Sequence, residues 1–302
     1  MSDPKFIQLH TAGELKKRCN ELYNILESCE LCARRCKVNR AKGEVGFCHS
    51  TVDLKISNIG PHFGEEPELV GKRGSGTVFI TNCNLGCVYC QNYDISHLGE
   101  GEIVSPPELA LKMLYLQNSG CHNINFVTPT HFIPQIVEAI DRACEDGLSV
   151  PLVYNCGGYE NSNVIKLLEG IFDIYMPDVK YSDCIKSKEY SSAEDYFQVV
   201  KESAKEMHRQ VGDLLVQDGI AQRGLLIRHL VLPNGVAGSR EALRFIAEEI
   251  SKDTYVNIMD QYRPLYNADK YEEINRFPTA EEFNSVLEIA REFGLHRGFN
   301  YE

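Results

Sequence analysis

A chain of 302 residues, 43% of them hydrophobic, suits one α/β barrel or two ordinary domains and carries enough apolar material for a substantial core. Its net charge of −12 argues against a nucleic-acid backbone as the main partner, though a local basic pocket stays open. With no run of about 18 apolar residues and no signal-peptide layout in MSDPKFIQLH, the expectation is a soluble, cytoplasmic protein away from membranes.

In chain order, Thr11 to Glu27 reads as an amphipathic helix, with Thr11 and Glu14 as a capping box and Leu15, Cys19, Leu22 and Leu26 on one stripe. Cys19 therefore reads as core. Cys29, Cys32, Cys36 and Cys48 follow with spacing C-x2-C-x3-C-x11-C, broken by Gly43 and Gly46. In a large unexported chain, clustered cysteines point to metal rather than disulfides. The spacing accommodates an iron–sulfur cluster or zinc and does not choose between them. Arg34, Arg35, Lys37, Arg40 and Lys42 lie within it; they favour thiolates, attract an acidic partner, or form a solvated basic face. Gly60 to Gly76 is rich in glycine and proline and reads as a linker, dividing a Cys-rich module over residues 1–70 from a larger domain over 71–302. Gly71, Gly74 and Gly76 are not a dinucleotide fingerprint, because the strand follows them instead of preceding them.

That strand-like run, GSGTVFI, leads into TNCNLGCVYCQNYDIS (Thr81 to Ser96), where Cys83, Cys87 and Cys90 form C-x3-C-x2-C. Three thiolates on one loop can hold three irons of a 4Fe–4S cubane and leave the fourth open to a substrate. A structural zinc would take four protein ligands. CNLGCVYC resembles the signature of the radical S-adenosylmethionine (SAM) enzymes. The resemblance implies a 4Fe–4S cluster on these cysteines, SAM chelating the open iron through its amine and carboxylate, and Tyr89 helping to position the adenine.

Further strands are expected at Thr77 to Ile80, Asn123 to Val127, Val150 to Tyr154, Ile171 to Met176, Gly224 to Leu230 and Tyr255 to Met259. Helix starts are signalled by Ser105 with Glu108, Ser191 with Glu194 and Thr279 with Glu282. Six βα units imply a parallel sheet with right-handed crossovers. Periodicity does not separate an open sheet from a barrel; the resemblance implies a partial (β/α)6 TIM-like barrel, with chemistry at the C-terminal strand ends.

After strand two, many radical SAM enzymes carry Gly-Gly-Glu to bind the SAM amino group. Here stand Thr128, Thr130 and His131. The hydroxyls either accept from that ammonium or cap a turn and helix. His131 reads as a ligand, a proton donor or a cap, and Cys156 as a hydrogen donor to a radical or a small buried hydrophobe. Gly157 and Gly158 permit close backbone approach to a ligand. Asp178 and Lys180, two apart on an extended segment, point the same way. They resemble the Asp-x-Lys motif of the glycyl-radical activating enzymes, where the lysine holds the SAM carboxylate. There the aspartate, with the backbone at a position matching Met176, binds a monovalent cation. Asn155 and Cys156 stand where that family has an acid and a hydroxyl. IRHLVLPNGVAG resembles the family's Arg-x-x-Val-x-Pro-Gly stretch and places Arg228 toward the SAM carboxylate or the substrate, with Gln261 or Tyr262 by position near the ribose.

From about Gly64 to Gly294 the resemblance follows the glycyl-radical activating branch, and the whole chain resembles the homologues of pyruvate formate-lyase activating enzyme. It implies reductive SAM cleavage to a 5′-deoxyadenosyl radical, a protein or peptide substrate, and a flavodoxin- or ferredoxin-type electron donor. Radical modification of a small molecule, and a cluster-bearing electron carrier or scaffold that does not cleave SAM, are the alternatives.

Overall fold

Alternation of side chains along six short strands decides the architecture. The structure is a computed structural model and describes residues 4–299; residues 1–3 and 300–302, the outer ends of the two expected spans, lie outside the described residues. Among the described residues nine strands join one sheet: β1 Lys55–His62, β2 Ser75–Ile80, β3 Glu102–Ile103, β4 Ile124–Val127, β5 Leu152–Cys156, β6 Ile174–Pro177, β7 Leu215–Gln217, β8 Ile220–Leu230 and β9 Tyr255–Met259. β2, β4, β5, β6, β8 and β9 are successive parallel neighbours. Helices such as Pro106–Asn118, Ile133–Glu145 and Tyr196–Val211 fill the crossovers. Among the described residues the pairing order does not return from β9 to β2, so this is the expected α/β, partial (β/α)6 barrel with one open side.

The two faces of each strand bury different things. Leu152, Tyr154 and Cys156 of β5, with Ile136 and Ile140 of the helix behind, belong to the large helix-side core. Val153, Ile174, Met176, Leu226 and Tyr255 form a smaller cluster on the inner face, closed by Leu69 of the short helix Pro67–Val70. Above that apolar plug the inner positions turn polar, with Asn125, Asn155, Asp178, Arg228 and Asn257. The plug fixes the depth at which the chemistry sits.

Two of the four expected capping boxes form, at Ser105 with Glu108 and at Thr279 with Glu282. Thr11 instead closes a separate first helix, Lys5–Thr11, its Oγ1 donating to Ile7 O at 2.9 Å. Gly13, at φ 72°, starts the second helix, Glu14–Asn24, because a left-handed residue ends helical pairing. Ser191 is likewise the last residue of a helix, Cys184–Ser191, and Asp195 precedes the next. The expected linker is partly strand. β1 runs to His62 against β2, and segment Asn58–His62 pairs on that side alone, where Pro61 is tolerated.

Asp173 shows how burial tunes this frame. Its Oδ2 accepts from Leu152 N at 3.0 Å, and burial, opposed by that bond and by Arg223 and Lys5, pushes its carboxyl up to about 7. A raised carboxyl holds a proton in the folded state that the unfolded chain has released above about pH 4. Stability should therefore fall by roughly a few kcal/mol as pH rises from 4 through 7. Thermal melts across that range are expected to show a flatter profile for Asp173→Asn than for the natural chain.

Candidate active site

β2 ends at Ile80, and the loop that follows carries the three cysteines. The loop is held from outside by its backbone: Arg34 donates to Asn84 O at 2.9 Å and Leu85 O at 3.0 Å, and Val88 N donates to Tyr190 O at 2.9 Å. Each sulfur also has a neighbour of its own. Leu85 N donates to Cys83 Sγ at 3.3 Å, Ser191 Oγ to Cys87 Sγ at 3.1 Å, and Ser96 Oγ lies 3.0 Å from Cys90 Sγ. Burial raises all three thiols, Cys83 to about 11, and the three sulfurs raise one another. The Lys180 ammonium opposes this at every one of them. One cation thus acts electrostatically on all three thiols.

This donor set fits a cubane. Soft thiolates suit iron–sulfur clusters. Among the described residues no three His, Cys, Asp or Glu side chains gather as a single metal ion requires, whereas a cubane takes each cysteine on a different iron and a wider triangle.

Lys180 is fixed by the strand ends beside it. Its Nζ donates to Asp178 Oδ2 at 2.5 Å, Arg228 Nε donates to Asp178 Oδ1 at 2.8 Å, and Arg228 Nη2 donates to Asn155 Oδ1 at 2.8 Å. The Tyr196 hydroxyl donates to Asp178 O at 2.7 Å and accepts from Lys180 N at 3.0 Å, locking the backbone between them. Burial would raise Asp178, but Arg228 and Lys180 outweigh it and hold the carboxyl below its usual range. Burial would lower Lys180, but Asp178 and Cys87 hold it above. Both stay charged at neutral pH. These contacts engage both Asp178 oxygens, the ones the resemblance assigns to a monovalent cation. A side chain at Gly158 (φ 78°) would place its Cβ 2.4 Å from Asp178 O, so the close approach expected there is to this backbone.

Asn155, Asp178, Lys180 and Arg228 are thus brought together beside Cys83, Cys87 and Cys90. Gln261 edges the adjoining cavity, where its Nε2 donates to Met259 Sδ at 3.4 Å. Tyr89 is buried behind the loop, its ring 5.4 Å from Tyr262 and 6.3 Å from Tyr181. Thr128 stays at the end of β4 with φ 60°. Thr130 and Cys156 turn away. Thr130 Oγ1 donates to Glu160 Oε1 at 2.9 Å, and Cys156 lies against the same carboxyl on the helix side.

His131 also faces elsewhere. Burial lowers it to about 3, so the ring is neutral, and its Nε2 lies 2.7 Å from Thr81 O, which makes Nε2 the protonated nitrogen. Nδ1 is buried without a partner, and the ring lines a pocket walled by Cys29, Cys32, Cys36 and Cys48. The four expected N-terminal ligands therefore do share one space. Of the basic residues among them, Arg35, Lys37 and Lys42 are exposed, but Arg34 and Arg40 turn inward. Arg40 is 1% exposed and donates to His131 O at 2.5 Å and Thr51 O at 2.6 Å, while Arg34 lies 3.7 Å over the Phe47 ring.

Sequence reasoning missed Ser191 and Ser96 beside the sulfurs, Tyr196 on the Asp178 backbone, and Glu65, whose Oε2 is 3.4 Å from Arg228 Nη1. Ser96 lies six residues from Cys90 and was within reach of the motif, whereas only the folded chain brings in the other three.

A three-cysteine loop beyond the first parallel strand of a partial barrel, with a lysine facing its sulfurs, defines an iron–sulfur enzyme of the SAM-cleaving class. Residues 77–221 match the Radical SAM superfamily, and the chain belongs to it. Members of that family use a 4Fe–4S cluster to cleave SAM reductively. The chain is 33% identical over 282 residues to an uncharacterized protein of Methanocaldococcus jannaschii, covering 90% of this chain and 77% of that one. It is 25% identical over 228 residues to the pyruvate formate-lyase-activating enzyme of Clostridium pasteurianum, covering 71% of this chain and 86% of that protein. Among the described residues no helix is long and apolar enough to cross a membrane.

Proposed function

We propose that this chain is a radical SAM enzyme acting on a protein or peptide, in the manner of a glycyl-radical activator. The observation that carries this reading is the Asp178–Lys180 pair, bonded at 2.5 Å with the Lys180 ammonium acting on the Cys87 thiol, which supports the Asp-x-Lys resemblance. The likeness to an activating enzyme at 25% identity agrees with it.

Cys83, Cys87 and Cys90 would hold the cluster, and when bound with SAM it supplies one electron that splits a carbon–sulfur bond to give a 5′-deoxyadenosyl radical. The residues around it bind, orient and exclude. Lys180 presents an ammonium toward the three cysteines, where the SAM carboxylate would pair with it in a charge-assisted bond. Asp178 stays ionised and aims both Lys180 and Arg228. Tyr89, Tyr181 and Tyr262 wall off one side and keep water and stray hydrogen donors out. Gln261 and Asn155 offer amides to the polar parts of the bound molecule.

Cys29, Cys32, Cys36 and Cys48 are proposed to hold a second metal centre because they wall one pocket. Of iron–sulfur and zinc, the cluster suits them better, since among the described residues no three such side chains gather as a single ion requires. A cytoplasmic flavodoxin- or ferredoxin-type protein would be the electron donor. The cavity of about 350 Å³ beside Arg228 also favours a second reading, modification of a small molecule, since that volume lies in the small-ligand range. Anaerobic co-purification followed by electron paramagnetic resonance separates the two. A glycyl-type radical on a co-purified protein supports the first reading. SAM cleavage stimulated by small-molecule extract alone, with no protein radical, would replace it by the second.

A further inference from the structure

The open side of the barrel is not lined evenly. Where segment Gly64–Glu68 runs past β9, a cavity of about 350 Å³ is edged by Glu65, Glu66, Glu68, Arg228, Asn257 and Gln261. Arg228 is surrounded by Asp178, Glu66 and Glu65, and Asp178 already shares its charge with Lys180. Glu68 accepts from the Tyr255 hydroxyl at 2.6 Å. Four carboxylates thus meet two cations.

The unbalanced oxygen can be named. Glu66 is 5% exposed; its Oε1 accepts from Asn257 Nδ2 at 2.8 Å, but its Oε2 is buried with no partner. Nearby, the fully buried Asn125 lies against Glu65, whose carboxyl is raised by burial, with Arg228 and the Asn125 amide opposing. Buried polar atoms left unpaired are costly, more so when charged, and native proteins satisfy nearly all of them. The Glu66 oxygen asks for a donor, and a cationic N–H group answers it with a charge-assisted bond. A metal ion fits less well. It needs several converging oxygens, and no such group of three acidic side chains exists among the described residues.

We propose that this cavity receives a cationic group of the substrate, an ammonium or guanidinium seated on Glu66 with Glu65 beside it. The proposal rests on the reading of the chain as a peptide-modifying enzyme and narrows it to substrates with a lysine or arginine near the reacting position. The open side between β9 and β2 is where a chain segment can enter from solvent.

The test uses reconstituted holoenzyme with SAM, titrated calorimetrically under anaerobic conditions with four blocked amino-acid amides. N-acetyl-lysine and N-acetyl-arginine methylamides are expected to bind at least about tenfold more tightly than the norleucine and citrulline analogues. Glu66→Gln should abolish that preference. Equal affinity for charged and neutral probes, or no saturable binding of the charged ones at millimolar concentration, overturns the proposal. So does an equal loss of SAM affinity in Glu66→Gln, which assigns the carboxylate to SAM. The charged-to-neutral comparison needs no variant and survives a Glu66→Gln protein that fails to fold. Formation of 5′-deoxyadenosine in the same preparation is scored separately: its absence sinks the enzyme reading and leaves the binding result standing.

Discussion

A chain carrying Cys83→Ala, Cys87→Ala and Cys90→Ala together is expected to lose about one cubane of iron and all SAM cleavage. The loop should keep its course, because Arg34, Tyr190 and Asn267 hold it through the backbone of residues 84, 85 and 88. Metal at the N-terminal pocket should remain, since Cys29, Cys32, Cys36 and Cys48 wall a separate space. Iron and zinc analysis of both proteins, beside a thermal melt, checks this. Equal iron in the two would show that these cysteines hold no cluster.

Lys180→Met should come next in effect. Methionine fills much of the lysine's volume, and Asp178 keeps Arg228, so the carboxylate is not left alone. What disappears is an ammonium whose charge lowers all three thiols. A charge-assisted bond to a carboxylate is worth about 1.5–3 kcal/mol, so SAM affinity should fall roughly ten- to hundredfold with cluster iron unchanged. Titration of the reconstituted variant with SAM reads the affinity directly. Unchanged affinity would remove Lys180 from the SAM site and weaken the likeness to the activating enzymes.

What the sequence revealed of this molecule follows from how local each signal is. The spacing of Cys83, Cys87 and Cys90 is covalent, so their proximity needed no fold. Asp178 and Lys180 were readable because a period of two puts both on one face. The same rule held a warning about Cys156: once Asn155 faces the barrel interior, its neighbour must face the helices, as it does. β1 was hidden because Gly60 and Pro61 read as loop, although one-sided pairing tolerates them. Ser191 looked like a helix start, yet its hydroxyl reaches Cys87 across 104 residues of chain, which no window around it contains. Glu65 and Glu66 stand more than 160 residues from Arg228 and 190 from Asn257, and only the closing of the sheet brings them together.

The most direct measurement is electron paramagnetic resonance of the dithionite-reduced protein before and after SAM, with 5′-deoxyadenosine assayed in the same tube. A site-differentiated iron predicts a 4Fe–4S signal that shifts when SAM binds, followed by 5′-deoxyadenosine. Zinc in that loop, or a cluster signal indifferent to SAM with no nucleoside formed, would contradict it.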